Sequence, residues 1–366
     1  MLVFLVAATL ALLAAGVALP RAVDMLSTPF WAHLVLAVGV MTLISAAMQH
    51  FVPVLTRSRG TGPWLARLPW LMAMAGVLAV AVFAGGLAYP AVSLAAGLGL
   101  VGAIAMLVWM RRKGRAAVGP AHPGLNWYLA AMACLALGLA AAMLIPWLPE
   151  QHLALRAFHI HINLYGFIGL TAVGTLQVLM PTLSNRPDPE VGWRLRLDLK
   201  WAMAGALLLA LGKAFDTDWL VWLGLAGWAW PLARLALAWA RLYGREILQL
   251  HGGEPVLAAA LAGFICALLG AWQGLEQPLA VFLPGFLFPL VAGAAAQLSP
   301  VWLRPGLATP WHAASRRALN RHGGLRALLF LTAAALPVLD YQCAGMPGLT
   351  ALFWFLIVFT LWLWRD

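Results

Sequence analysis

Nine histidines are the chain's main supply of side chains able to hold a metal near neutral pH, and four of them are placed to do so. His33 and His50 lie in one apolar run, and His159 and His161 open another, "HIHINLYGFIGLTAVGTLQVLMPTLSNR". Neutral imidazole is a good ligand for haem iron, copper and zinc. Ionisable groups inside an apolar run mark functional sites by default, because burying them there is costly. At helical spacing, residues two apart point away from each other while i and i+4 share a face. His159 therefore travels with Asn163, and His161 with Tyr165. His33 and His50 are 17 residues apart, roughly 25 Å along a helix axis, so they cannot share one ion. Candidate metal ligands are His33, His159, His161 and His50, with His33, His161 and Tyr165 the candidate cofactor contacts. A weaker reading gives His50 a role at the other end of its span, beside Gln49.

The elements that position these residues are apolar helices. The chain is 63% hydrophobic and only 10% charged, against about 25% charged residues in a soluble domain. Uncharged stretches near the ~20 residues needed to cross a bilayer recur throughout, roughly at 2–20, 30–52, 68–89, 91–110, 126–148, 159–182, 201–216, 219–240, 255–274, 278–300, 325–339 and 347–364. The expectation is an all-α integral membrane protein of about twelve transmembrane helices, folded as a single polytopic domain over 1–366.

The formal charge of +11 is a topology signal. Lys and Arg cluster in loops after even-numbered spans, as in Arg111, Arg112, Lys113 and Arg115 or Arg316, Arg317 and Arg321. Arg21, Arg156 and Lys213 are the few on the other side, and Arg234 falls inside a span. Excess Lys and Arg mark the cytoplasmic side, so both termini are expected there, in a bacterial-type inner membrane, with the lipid bilayer as partner and no nucleic acid. Asp216, Asp218, Glu276 and Asp340 fall at outer span ends or loops. His122, His251, His312 and His322 read as solvated residues of basic loops. Cys134, Cys266 and Cys343 form no motif and read as small core residues. "GLGLVG" at 97–102 matches G-x-G-x-x-G, but that fingerprint needs a strand before it; mid-span, its glycines serve helix packing.

Internal similarity ties the histidines together. At an offset of 128, His33 meets His161, Gln49 meets Gln177, Pro53 meets Pro181 and Leu55 meets Leu183. "WLARLPWLMAMAG" from Trp64 matches "WRLRLDLKWAMAG" from Trp193 at an offset of 129. A weaker third copy closes on Gln297 and Pro300, without a histidine in its span. The pattern is read as three pseudo-repeated four-helix blocks at approximately 1–122, 123–252 and 253–366; it selects the His161 face, because His161 matches His33, and an outer site would use His33 with His161 or His159.

With twelve helices in three arcs, a histidine near the outer end of span two and His-x-x-x-Tyr in span six, the chain resembles the haem–copper oxidase subunit I superfamily, including the NnrS-like haem- and copper-containing membrane proteins. The resemblance implies haem b and/or copper as cofactor, His33 as a haem ligand, His161 as a copper ligand and Tyr165 at the active-site tyrosine position. It also implies partners in nitric oxide or respiratory metabolism. The pattern breaks in two places: no haem ligand stands between Pro278 and Pro300, and "KWAMAGALLLALGKAFDTDW" has no paired histidines. A complete terminal oxidase is not expected, and no catalytic residue is assigned. The alternative is a metal-free assembly factor or small-molecule transporter on the same fold.

Overall fold

The computed structural model describes residues 1–20, 26–273, 279–339 and 345–365; Arg21, Glu276, Asp340 and Cys343 lie outside them. The described residues form helices joined by short turns, with no strand among them. In chain order these are α1 (Leu2–Ala18), α2 (Thr28–Leu55), α3 (Leu65–Phe83), α4 (Ala91–Arg115), α5 (Gly124–Trp147), α6 (Pro149–Leu183), α7 (Val191–Ala214) and α8 (Asp218–Ile247). They continue with α9 (Glu254–Gln273), α10 (Leu279–Leu303), α11 (Pro310–Leu319), α12 (Gly323–Val338) and α13 (Gly345–Arg365). Each apolar run read from the sequence falls in one of these helices; α11 is the short basic addition.

Among the described residues, nine helices are long and apolar enough to cross a membrane. The side-chain distribution agrees with an apolar solvent. On α4, small Ala95, Ala96, Gly99, Gly102 and Ala103 face inward, while Leu94, Val101, Ile104 and Val108 are exposed. In water such a helix would turn the other way; in lipid, small residues let helices approach and large apolar ones face the tails. Gly99 and Gly102 of the "GLGLVG" stretch meet Leu139 and Met72, so their role is packing.

The chain forms two compact units. The first comprises Asp24–Gln177 with Pro189–Ala233. In it α3 packs on α2, α4 on α3, α5 on α4, and α6 on α5, with α7 against α6. The second comprises Met1–Val23, Val178–Asp188 and Arg234–Asp366. There α9 packs on α10 and α12, α1 on α10 and α13, and α11 against α10 and α13.

Three helices share a local irregularity. α2, α6 and α10 are π-helical over Leu34–Met41, Ile162–Ile168 and Phe282–Leu287. A π turn shifts the side-chain register without breaking the backbone hydrogen bonding that a bilayer demands. Each segment starts fifteen residues before a buried glutamine (34 to 49, 162 to 177, 282 to 297). Gln49 donates from Nε2 to the Leu65 carbonyl; the Oε1 atoms of Gln177 and Gln297 are buried without a hydrogen-bond partner.

Candidate functional site

His33 sits in the α-helical first turns of α2, one residue before its π segment, and His161 stands at the same point of α6. The two have the same local anchor. The His33 Nδ1–H donates to the Pro29 carbonyl at 2.7 Å and that of His161 to the Ala157 carbonyl at 2.8 Å, each four residues back. A carbonyl can only accept, so the proton is fixed on Nδ1 and Nε2 carries the lone pair.

Their surroundings differ. His161 lies against Tyr165, ring centres 6.1 Å apart and planes 24° apart. His33 packs on Phe83 at the end of α3, at 4.6 Å and 31°. Its other ring neighbour is His159, at 6.3 Å with planes only 9° apart. His33 and His161 make no ring contact with each other. The structure therefore brings His33 to His159 and leaves His161 with Tyr165. His50, at the far end of α2, contacts the ring of Phe51 and lies away from the pair.

His159 is held from two sides. Its Nδ1–H donates across the interface to the Gly138 carbonyl of α5 at 2.9 Å. Asn163, one turn on, donates from Nδ2 to the His159 carbonyl at 2.8 Å. Gly138 leaves the room needed here: a Cβ at that position would collide with the Asn163 side chain. The Asn163 Oδ1 is buried without a hydrogen-bond partner, a costly state inside a bundle. His33 and His159 thus present two imidazoles from two helices, each with Nδ1 tied to a carbonyl and Nε2 left as a donor of electrons. Backbone-anchored Nδ1–H is the outer-shell arrangement that orients ligating histidines.

The spacing can be tested against ligation. The 6.3 Å between the ring centres is long enough to admit one group bonded to both rings through bonds of about 2.0–2.1 Å. Among the described residues no group of three or more His, Cys, Asp or Glu could hold an ion. An ion that draws three or four ligands from protein is poorly served by this set, whereas a haem brings most of its own donors and would ask the chain only for His33 and His159.

Sequence reasoning missed Gly138 and Phe83, because nothing in one sequence marks a glycine or phenylalanine as facing a distant histidine. His312 corrects another expectation. It is buried, forms a capping box with Thr309 at the start of α11, and donates from Nε2 to the Arg304 carbonyl at 2.9 Å. Cys134 is a buried core residue against Gly166, as expected. No protein family, curated protein or solved structure matches the chain. Fold and site define a class only: an all-helical protein with several helices suited to a membrane.

Proposed function

We propose that the chain is a multi-pass membrane haem protein of the haem–copper oxidase subunit I-like superfamily, NnrS-like, in which His33 and His159 would hold one b-type haem. The observation that carries this is the near-parallel pair of imidazoles at 6.3 Å, each with its Nδ1 anchored. In this reading the twelve apolar helices all span, with both termini on the cytoplasmic side of an inner membrane. The three π segments and the glutamines fifteen residues after them support a relation between α2, α6 and α10, and so three four-helix blocks. The third lacks a histidine before its π segment, where Val281 stands, so only the first two blocks contribute ligands.

A bound haem would supply one-electron transfer, serving nitric oxide or respiratory metabolism. The protein's part is positional. The Pro29 and Gly138 carbonyls fix both tautomers, Asn163 holds the His159 turn, and Phe83 limits the His33 ring. Held by both His33 and His159, such a group would serve electron transfer rather than oxygen reduction. His161 and Tyr165 form a separate pair, available to copper only with donors the described residues do not bring there.

The test is a reduced-minus-oxidised spectrum of the purified full chain, expressed with ample haem and copper, with iron and copper analysis of the same sample. A b-type spectrum at near-stoichiometric iron is expected, lost in His33→Ala and His159→Ala and kept in His161→Ala. A colourless, iron-free wild type overturns the proposal and leaves the metal-free assembly factor or transporter.

A further inference from the structure

In the second unit a groove of ≈ 670 Å³ opens between α11 and the last three turns of α13. One wall is the face of α11 carrying Trp311, Ala314, Ser315 and Ala318, spaced to lie on one side of a helix. The other wall is Trp354, Val358, Leu361 and Trp362, spaced the same way on α13. Trp311 and Trp362 approach to 6.2 Å at one end, where Arg304 lies over Trp311 at 4.1 Å. Arg321 and His322 close the other end, with the His322 ring 5.8 Å from Trp354.

Charge and polarity are segregated along this groove. From Trp354 to Trp364 α13 has no charged residue, about 15 Å of apolar helix. At the cationic end, the Arg321 guanidinium has no hydrogen-bond or ion-pair partner among the described residues. His322 takes a left-handed backbone (φ 57) that non-glycine residues rarely adopt. Its N–H donates to His251 Nδ1 at 3.0 Å, which pins it there. Its own Nδ1 is buried without a partner. None of the lining residues is acidic. The exposed, unneutralised Arg321 guanidinium beside the fixed His322 ring, at the end of a groove with no acidic lining, is a site for an anion, and the apolar wall leading from it asks for a chain.

We propose that this groove binds one anionic phospholipid, with its phosphate at Arg321 and His322 and an acyl chain along Trp354, Val358 and Leu361. Basic pockets between helices at a membrane surface are where acidic headgroups are recognised, and tryptophans settle at that boundary. A zwitterionic lipid fits less well, because its quaternary amine would meet Arg321. The site stands independently of the haem proposal.

The test uses the full chain, delipidated in detergent. Phosphatidylglycerol or phosphatidylcholine is added at equal mole fraction, or inorganic phosphate alone, and bound lipid is counted by native mass spectrometry. One phosphatidylglycerol per chain is expected, in preference to phosphatidylcholine and not displaced by millimolar phosphate. Arg321→Gln should weaken it by roughly fivefold, and Ala314→Trp should abolish it by filling the groove. Both side chains are exposed, so neither change threatens folding, which the lipid-free melting temperature checks. Equal retention of the two lipids, unchanged binding in both variants, or displacement by phosphate would each overturn the proposal.

Discussion

The imidazole of His33 faces that of His159 with ring centres 6.3 Å apart and planes 9° apart, while Phe83 packs against the same His33 ring at 4.6 Å. His33 is thus restrained by an aromatic ring as well as by the Pro29 carbonyl. An aromatic contact contributes about 0.5–1.5 kcal/mol beyond its buried area. Phe83→Leu should therefore weaken haem binding by roughly 2–10-fold with little loss of fold. Haem titration of the apoprotein against wild type reads this directly; unchanged affinity would remove Phe83 from the site.

Gly138 tests the opposite side of the pair. Its carbonyl receives the His159 proton, and a Cβ there runs into Asn163. Gly138→Ala should cost about 1–3 kcal/mol through overpacking and reduce haem occupancy by turning His159 from its carbonyl. Gly192→Ala is the matched control, since nothing lies within 4 Å of its added methyl. Melting temperatures and iron-to-protein ratios of the two variants should diverge, and equal values would mean that the α5–α6 contact gives way freely.

How much of this was legible beforehand differs from residue to residue. Apolar runs located the helices because a bilayer leaves the backbone no other way to satisfy its hydrogen bonds. Boundaries failed where charge continues inside a helix: α7 begins at Val191, ten residues before the expected 201, with Arg194 and Asp198 buried in its first turns. The π segments were invisible, since a change of hydrogen-bond register leaves no mark in composition. His33 and His161, which the sequence offset pairs, share a local setting down to the carbonyl four residues back. A shared local setting does not fix contact, because each position faces its own neighbours. Of the two histidines the sequence offered as partners of His33, the one that meets it is His159, whose counterpart in α2 at that offset is Trp31.

His312 gives a prediction outside the site. Its Nδ1 accepts from the Thr309 N–H at 3.1 Å and its Nε2–H donates to Arg304, closing the 304–309 loop onto α11. Removing a cap of this kind costs about 0.5–2 kcal/mol. His312→Ala should lower the melting temperature by a few degrees, on the order expected for that loss, and speed thermolysin cleavage before the exposed Leu307. A cleavage rate equal to that of wild type would show that the loop is held by other contacts.

His122 makes the pH dependence of the first unit predictable in sign. It lies in the turn before α5, where its Nδ1 accepts from the Gly124 N–H at 3.1 Å. Burial, then the nearby Arg196 cation, hold this imidazole below its ordinary value of 6.5. Above that pH it is neutral whether the chain is folded or not, and the acceptor bond is intact. Below it, the unfolded chain takes up a proton that the folded chain resists, so stability falls as the pH drops from 6.5 toward the lowered folded value. His122→Asn keeps an acceptor for Gly124 but cannot titrate. Its melting temperature should be close to that of wild type at pH 7.5 and exceed it at pH 5.5. The comparison isolates His122, because the two proteins differ at that position alone; parallel melting curves across that range would assign the acid sensitivity elsewhere.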